Sequence, residues 1–544
     1  MSSDKPLARD PWWQSGVIYQ IYPRSFCDAN GDGIGDLPGI CEQLTYLAKL
    51  GVDALWLSPI FSSPMADFGY DVADYTSIAP MFGTLADLDH LLAQTTRRGM
   101  KLILDYVPNH TSNQHPWFGA SSSSRDCAKR DWYLWRDPAP DGGPPNNWLS
   151  NFCGSAWEWH APTGQYYYHS FLKEQPDLNW RNPEVVAAMH DVLRFWFAKG
   201  VAGFRIDVLW MLIKDDLWRD NPPNPAYQPG MPPFQSQLPL YTSDRPEIQD
   251  IVAGLRKVAD EFDGRVLIGE IYLPLARLVA YYGKSLNGVQ LPFNFQLLQS
   301  AWGARSIANL IDQYEAALPA GGWPNWVLGN HDNPRIASRV GAAQARVAAM
   351  MLLTLRGTPT MYYGDELGMQ NVPIPPDRIQ DPLEKNVPGA GLGRDPSRTP
   401  MQWDATVYAG FSVSEPWLPI SADAARVNTT AEDLDPSSML SLYRSLLDLR
   451  KRHAALSVGR FQAVASSGDV LSYIRSMRDE QFLVVLNLGP HAADFSLESV
   501  DRAATALLST YLDGRIAVTH THLSLRPNEG VILALESPTA AEPP

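Results

Sequence analysis

Two opposite charges stand inside an apolar segment of the chain, GVAGFRIDVLWM at residues 200–211. Arg205 and Asp207 are two residues apart, which places both side chains on the same side of a β-strand. An unpaired charge in an apolar layer costs several kcal/mol. The segment therefore predicts a buried ion pair, which either caps the strand or belongs to a reactive site.

Further acids end two other apolar segments. Glu270 ends LIGE and Asp332 ends GNHD, while His110 and His331 stand at comparable positions. Hydrolysis of a glycosidic bond needs one protonated and one ionised carboxyl group, about 5–5.5 Å apart in a retaining enzyme. A fixed cation such as Arg205 would lower the pKa of Asp207 and hold its carboxylate in place. The repeated acids favour a hydrolytic site over a structural ion pair.

The elements that must position these residues alternate along the chain. Stretches with helical periodicity, such as 84–99, 182–200, 245–264 and 438–456, separate short apolar segments. These segments lie at 16–26, 51–61, 99–110, 200–209, 264–272, 288–296, 325–333 and 358–367. Eight strands each followed by a helix predict a (β/α)8 TIM barrel, whose active site gathers at the C-terminal ends of its strands.

Two parts of the chain depart from this alternation. The connection after the third strand is too long for a simple loop and is rich in aromatic residues, so we expect an inserted domain over 111–180. Strand-like patterns after residue 457 predict a C-terminal antiparallel β-sandwich over 457–544. The barrel is then assigned to 1–110 and 181–456.

Six segments, in order, resemble motifs of glycoside hydrolase family 13, the α-amylase family. Four resemble its general signatures: DYVPNH (105–110), GFRIDV (203–208), GE (269–270) and GNHDNPR (329–335). QPDLNW (175–180) and GRDPSRTPMQWD (393–404) resemble segments typical of its oligo-1,6-glucosidase and α-glucosidase branch. The resemblance covers nearly the whole chain.

The resemblance implies roles for individual residues. Asp207 would be the nucleophile, Glu270 the general acid/base and Asp332 the stabiliser of the transition state. The residues that would bind the sugar are Asp67, Tyr70, His110, Phe152, Phe171, Arg205, His331 and Arg394. For Phe152 and Phe171, a place in the core of the inserted domain is the alternative.

The motif DFGY (67–70) carries the expected closed end of the pocket. Asp67 would bind hydroxyl groups of the non-reducing glucose, and Tyr70 would stack under its ring. Arg394 would pair with Asp67 behind that glucose. The resemblance therefore implies exo action.

An acidic loop, DANGDGIGD at 28–36, is a candidate metal site. Asp28, Asn30, Asp32 and Asp36 resemble the first half of an EF-hand loop, although no glutamate stands at the twelfth position. The family resemblance implies structural Ca²⁺, or Mg²⁺, held by these four side chains and the backbone oxygen of Ile34. A polar turn without an ion is the alternative.

The expected function is a retaining, exo-acting α-glucosidase on short α-glucosides, with transglucosylation as a side activity. The alternative is an oligo-1,6-glucosidase or a sucrose- or trehalose-acting isomerase. Val208 favours 1,6-cleaving relatives, whereas the long loop 215–233 resembles that of α-glucosidases that prefer disaccharides. A non-catalytic transporter ectodomain is disfavoured, because all three acids are present.

The composition of the chain disfavours several classes of binding partner. The net charge of −15 argues against nucleic acid or an anionic membrane. The N-terminus lacks an apolar signal region, no stretch approaches a membrane span, and the four cysteines lack metal-like spacing. We expect a cytoplasmic monomer or homodimer acting on small maltose-like α-glucosides.

Overall fold

The computed structural model describes residues 11–498, 500 and 502–536. The first ten residues of the predicted barrel, 1–10, and the last eight of the predicted sandwich, 537–544, lie outside the described residues. Eight parallel strands form one sheet. The first six lie side by side in the order of the chain. The eighth strand lies beside the first, and the seventh lies beside the eighth. A parallel bridge between Asn294 and Trp326 joins the sixth strand's end to the seventh. The predicted (β/α)8 barrel is confirmed, with strands Ile18–Ile21, Ala54–Leu57, Lys101–Tyr106, Gly203–Ile206, Val266–Gly269, Leu291–Pro292, Asn325–Val327 and Thr358–Tyr362.

Helices surround the barrel where the sequence shows helical periodicity. The helix at Leu85–Arg97 begins with a capping box between Thr84 and Asp87, and the helix at Pro183–Lys199 ends at Gly200 in the left-handed conformation. No helix of the described residues has both the length and the apolar character needed to cross a membrane. The helices are Trp12–Ser15, Leu37–Glu42, Leu44–Leu50, Leu85–Arg97, Pro116–Ser123, Pro183–Lys199, Ile248–Ala259, Leu275–Leu278, Gln296–Gln299, Ala304–Ala317, Ile336–Val340, Ala342–Thr354, Pro382–Asn386, Thr429–Leu434, Met439–Arg452 and Ala454–Ser457.

Two small antiparallel sheets lie outside the barrel. One pairs Phe61–Ser62 with Asp74–Ile78 after the second barrel strand. The other lies in the segment 111–180, and its strands are Trp135–Arg136, Gln165–Tyr168 and Trp157–His160.

A buried lysine ties the segment 111–180 to the barrel. Lys214 is 2% exposed, and its Nζ donates to Asn109 Oδ1 at 2.7 Å and to the Met211 carbonyl at 2.6 Å. The same ammonium pairs with Asp177. Burial lowers the pKa of Lys214, which Asp177 opposes. One ion pair therefore joins the loops after barrel strands three and four.

The C-terminal strands form two antiparallel sheets, which confirms the predicted sandwich. One consists of Arg460–Ser467, Val470–Met477, Glu480–Asn487, Gly530–Leu535 and Ala504–Ser509, and the other of Ala493–Ser496, His522–Leu525 and Ala517–Val518. Arg450 and Arg475 are buried where the sandwich meets the barrel, and both donate to the Leu456 carbonyl, at 2.9 Å and 3.0 Å. Burial lowers the pKa of Arg450 to about 10 and of Arg475 to about 9. Backbone carbonyls at this junction therefore hold two buried cations.

Candidate active site

Arg205 is the centre of a buried cluster of acids. Its Nη1 lies 2.7 Å from Asp207 Oδ1 and 2.9 Å from Asp105 Oδ1, and its Nη2 lies 2.8 Å from Glu270 Oε2. Asp105 is the first residue of the motif DYVPNH and lies near the C-terminal end of the third barrel strand, Lys101–Tyr106, which brings it to this cluster. The charges at 205 and 207 are thus paired with each other and also gathered with acids from two neighbouring strands.

The pKa of Asp207 differs from the expectation. Arg205 does lower it, as predicted, but burial and the negative charge of Glu270 and Asp105 raise it further, so the net pKa lies well above the ordinary value. Burial also raises the pKa of Glu270, although the Val208 amide donates to Glu270 Oε2 at 2.8 Å and stabilises the ionised form. Arg205 therefore favours the ionised form of both acids, while burial and their mutual repulsion favour holding a proton within the cluster.

Asp332 has the opposite character. Burial alone would raise its pKa, but Arg398 Nη2 at 2.9 Å and Arg394 Nη1 at 3.4 Å hold the pKa well below the usual range. The adjacent His331 also lowers the pKa of Asp332, while burial lowers the pKa of His331 itself well below its ordinary value. Asp332 is the carboxylate of the site that stays ionised.

The predicted pair of Asp67 and Arg394 is present, with Asp67 Oδ1 2.9 Å from Arg394 Nη2. Arg394 also bonds Asp381, and its guanidinium lies 5.2 Å from the centre of the Phe152 ring. Asp381 and Arg398 were not identified from the sequence. Arg398 lies within the motif 393–404, which could have indicated it, whereas Asp381 precedes a short helix in a segment without a periodic signal.

The remaining predicted residues surround the same space. Tyr70 stacks on His331 with ring centres 5.5 Å apart, and its hydroxyl lies 2.7 Å from His331 Nε2. His110 Nε2 lies 3.1 Å from the Tyr70 carbonyl, and its ring contacts Phe171 at 5.2 Å. Phe152 and Phe171 contact each other at 6.0 Å.

A cavity of about 430 Å³ opens onto these groups. Its walls include all three predicted catalytic acids and six of the predicted sugar-binding residues, whereas Arg205 and His331 are buried and do not line it. Phe152 and Phe171 belong to its wall. The lining residues are Asp67, Tyr70, His110, Asn151, Phe152, Phe171, Asp207, Val208, Trp210, Met211, Phe234, Gln235, Glu270, Tyr272, Asp332, Asn333, Leu383 and Arg394.

The loop 28–36 offers oxygen donors that suit a hard cation. In this structure Asp28 accepts the amides of Gly31 and Gly33 at 2.7 Å and 2.8 Å, and Asp36 caps the next helix. Gly33 has φ 86°, and a Cβ there would lie 2.3 Å from the Glu415 carbonyl, so the turn requires glycine. Among the described residues, no three His, Cys, Asp or Glu side chains are grouped as a metal centre. The donor chemistry fits an ion, while the side chains are bonded to backbone amides.

Comparison with known proteins agrees with this geometry. Residues 20–459 match the family model described as the alpha-amylase catalytic domain. The chain is 41% identical to a probable alpha-glucosidase of Rhizobium meliloti (strain 1021), over 89% of this chain and 90% of that protein. It is 38% identical to an oligo-1,6-glucosidase of Halalkalibacterium halodurans, over 95% and 98%. The crystal structure of an alpha-glucosyl transfer enzyme superposes with a TM-score of 0.92 at 38% identity, over 97% and 100%.

Proposed function

The chain belongs to the α-amylase family of glycoside hydrolases, and we propose that it is an α-glucosidase that removes glucose from the non-reducing end of short α-glucosides. The family assignment supplies the reaction class. The observation that carries the proposal is the cavity that holds Asp207, Glu270 and Asp332 and is closed at one end by Arg394 and Asp67.

The arrangement of the acids supports a retaining mechanism. Asp207 and Glu270 bond the two amino groups of one guanidinium, at 2.7 Å from Nη1 and 2.8 Å from Nη2 of Arg205. Two carboxyl groups held on one guanidinium suit the separation of about 5–5.5 Å in a retaining enzyme better than the about 6.5–9.5 Å of an inverting one. Asp207 attacks the anomeric carbon while Glu270 protonates the leaving oxygen, and Glu270 then takes the proton of the water that releases glucose.

Substitution of the nucleophile tests this assignment. Asp207→Asn should fold normally and lose kcat on p-nitrophenyl α-glucoside by about 10³-fold or more, because an amide cannot form the glycosyl-enzyme. Glu270→Gln should instead accumulate a covalent adduct with this activated substrate, detectable by mass spectrometry of the intact protein. Near-normal turnover by Asp207→Asn would contradict the proposal.

The boundaries of the cavity support action on short substrates. The paired side chains of Arg394 and Asp67 line the cavity, as do Phe234 and Gln235, which follow the long loop 215–233. We expect kcat/KM to fall beyond two or three sugars and starch to react hardly at all. Rapid release of maltotriose or longer products from soluble starch would contradict exo action.

A 1,6-linkage preference is the second candidate, and Val208 favours it because this side chain lines the cavity directly after the nucleophile. The oligo-1,6-glucosidase relative supports the same reading. Parallel product analysis on maltose, isomaltose, sucrose and trehalose decides between hydrolysis of either linkage and isomerisation. Transfer of glucose to added acceptors in the same assay tests transglucosylation, which the transfer-enzyme neighbour supports.

We also propose a structural Ca²⁺ or Mg²⁺ in the loop 28–36. Asp28, Asn30, Asp32, Asp36 and the Ile34 carbonyl would hold it, and the ion would stabilise the folded state by mass action. Chelator should lower the melting temperature of the wild type, and Asp32→Ala should remove that dependence with little change in kcat. A melting curve that chelator leaves unmoved would identify a plain turn.

The cellular setting remains a proposal. The four cysteines, all within the described residues, are free thiols, which favours a reducing compartment such as the cytoplasm. We expect a monomer or homodimer without nucleic-acid or membrane partners, to be tested by light scattering and by fractionation of the source cells.

A further inference from the structure

One fully buried acid contacts the closed end of the cavity from behind. Asp381 is 0% exposed and precedes the short helix Pro382–Asn386. Its Oδ2 accepts the Arg394 Nε at 2.9 Å and the Arg394 amide at 2.5 Å, and its Oδ1 accepts Arg394 Nη2 at 2.8 Å. A two-pronged contact of this kind fixes the plane of a guanidinium group.

The segment 381–394 between these two residues is held by a separate set of bonds. Asp395 Oδ2 accepts the amides of Gln380 and Asp381 at 2.7 Å and 2.9 Å. Inside the segment, Glu384 accepts the amides of Gly389 and Gly393 at 2.8 Å and 3.0 Å. Glu384 thus stabilises the segment's backbone, whereas Asp381 also bonds the arginine side chain.

Arg394 has competing partners in front of Asp381. Its Nη2 bonds Asp67 at 2.9 Å, and its Nη1 lies 3.4 Å from Asp332, which Arg398 already bonds at 2.9 Å. Arginine has many rotamers, and attraction to Asp332 would draw an unheld guanidinium away from Asp67. The fork formed by Asp381 opposes that movement.

We propose that Asp381 is a positioning residue that holds the Arg394 guanidinium against Asp67 and thereby keeps the first-glucose end of the cavity closed. The inference rests on the proposed exo-glucosidase function and deepens it. Asp381 touches no substrate, yet it determines whether a sugar chain can extend past the first glucose.

The test compares Asp381→Asn with Glu384→Ala on p-nitrophenyl α-glucoside and p-nitrophenyl α-maltoside. Asparagine keeps an oxygen for the Leu383 amide, and with it the helix cap, but loses the charged fork. We expect kcat/KM on the glucoside to fall about tenfold to hundredfold, mainly through KM, because charge-assisted bonds that position the glucose contact are weakened. Glu384→Ala should keep the wild-type KM, although its melting temperature should fall.

The maltoside reports directly on closure of the cavity. The wild type should first release glucose and leave p-nitrophenyl α-glucoside, whereas Asp381→Asn should also release maltose and p-nitrophenol in one step, as chromatography of early time points shows. Wild-type KM and product order in Asp381→Asn, or the same changes in Glu384→Ala, would overturn the inference. So would failure of Asp381→Asn to fold, since Asp381 would then support the fold rather than one side chain. A wild type inactive on both substrates would instead contradict the proposed function itself.

Discussion

At the scale of single residues, the site separates its carboxyl groups by the charges placed beside them. His331 and two guanidinium groups hold the pKa of Asp332 below its usual range, whereas burial raises the pKa of Glu270. A general acid must carry its proton at the working pH, so a raised pKa suits Glu270 to its proposed role toward neutral pH. The negative charge of Asp332 contributes to that increase.

Asp332→Asn should therefore move the pH profile as well as the rate. Loss of the negative charge lowers the pKa of Glu270, so the alkaline limb of kcat/KM, where the general acid loses its proton, should shift to lower pH. The measurement is a pH profile on p-nitrophenyl α-glucoside. Asn333→Ala, a neutral change in the same wall, is the control and should leave the limb in place. An unmoved limb in Asp332→Asn would mean that another group titrates.

The residues found from the sequence are those whose motifs are short and continuous. Asp207 and Glu270 directly follow barrel strands, and Asp332 lies in the loop five residues after the seventh strand, so their convergence follows from barrel geometry. Asp105 lies within a quoted motif, but nothing in one sequence reveals that it shares Arg205 with Asp207. Asp381 is about 170 residues from the nucleophile along the chain, and its partnership with Arg394 depends on a folded loop that no periodicity describes.

At the scale of elements, strands and helices were predictable where apolar spacing is regular. The predicted sixth strand, 288–296, is shorter in the structure because only Leu291–Pro292 carries strand pairing. Apolar residues mark what is buried, not how many residues exchange backbone hydrogen bonds. The contact of Lys214 with Asp177 could not be predicted from the sequence either, because the barrel determines how closely their two loops approach each other.

Lys214→Met should destabilise the protein strongly. It leaves Asp177 buried without its cation, and breaking a buried pair in this way costs about 3–5 kcal/mol. Lys199→Met is the matched control, because Lys199 pairs with Asp89 at the surface and such pairs contribute roughly 0–1 kcal/mol. Urea unfolding of both variants gives the comparison. Equal losses would show that the buried pair has no special weight.

At the scale of the whole molecule, buried hydrogen bonds join the barrel to the C-terminal sandwich. Arg475 is fully buried on a sandwich strand and donates to the Thr354 carbonyl at the end of helix Ala342–Thr354, and to Gly459 at 3.0 Å. Tyr473 of the same strand bonds Thr354 at 2.6 Å. The sandwich therefore completes the hydrogen bonding of a barrel helix, so we expect the two domains to depend on each other for stability.

Arg475→Met should lower the stability of the barrel although the change lies outside it. Buried carbonyls that lose their donor cost about 1–3 kcal/mol each, so we expect a lower melting temperature for the entire chain in a single transition. The kcat at 25 °C should stay close to wild type, because the substitution is remote from the cavity. Arg515→Met, at an exposed position of the sandwich, is the comparison variant. Two separate transitions in Arg475→Met would show that the sandwich melts independently.

The cavity that ends at Arg394 and Asp67 also determines the order in which the two products leave. The leaving alcohol departs toward the open side first, and the glucose behind it must then retreat along the path by which the next substrate arrives. Glucose and substrate would then use the same entrance, so we expect glucose to be a competitive inhibitor. The enzyme cannot slide along a polymer from one bond to the next, so every cut begins with a new encounter from solution.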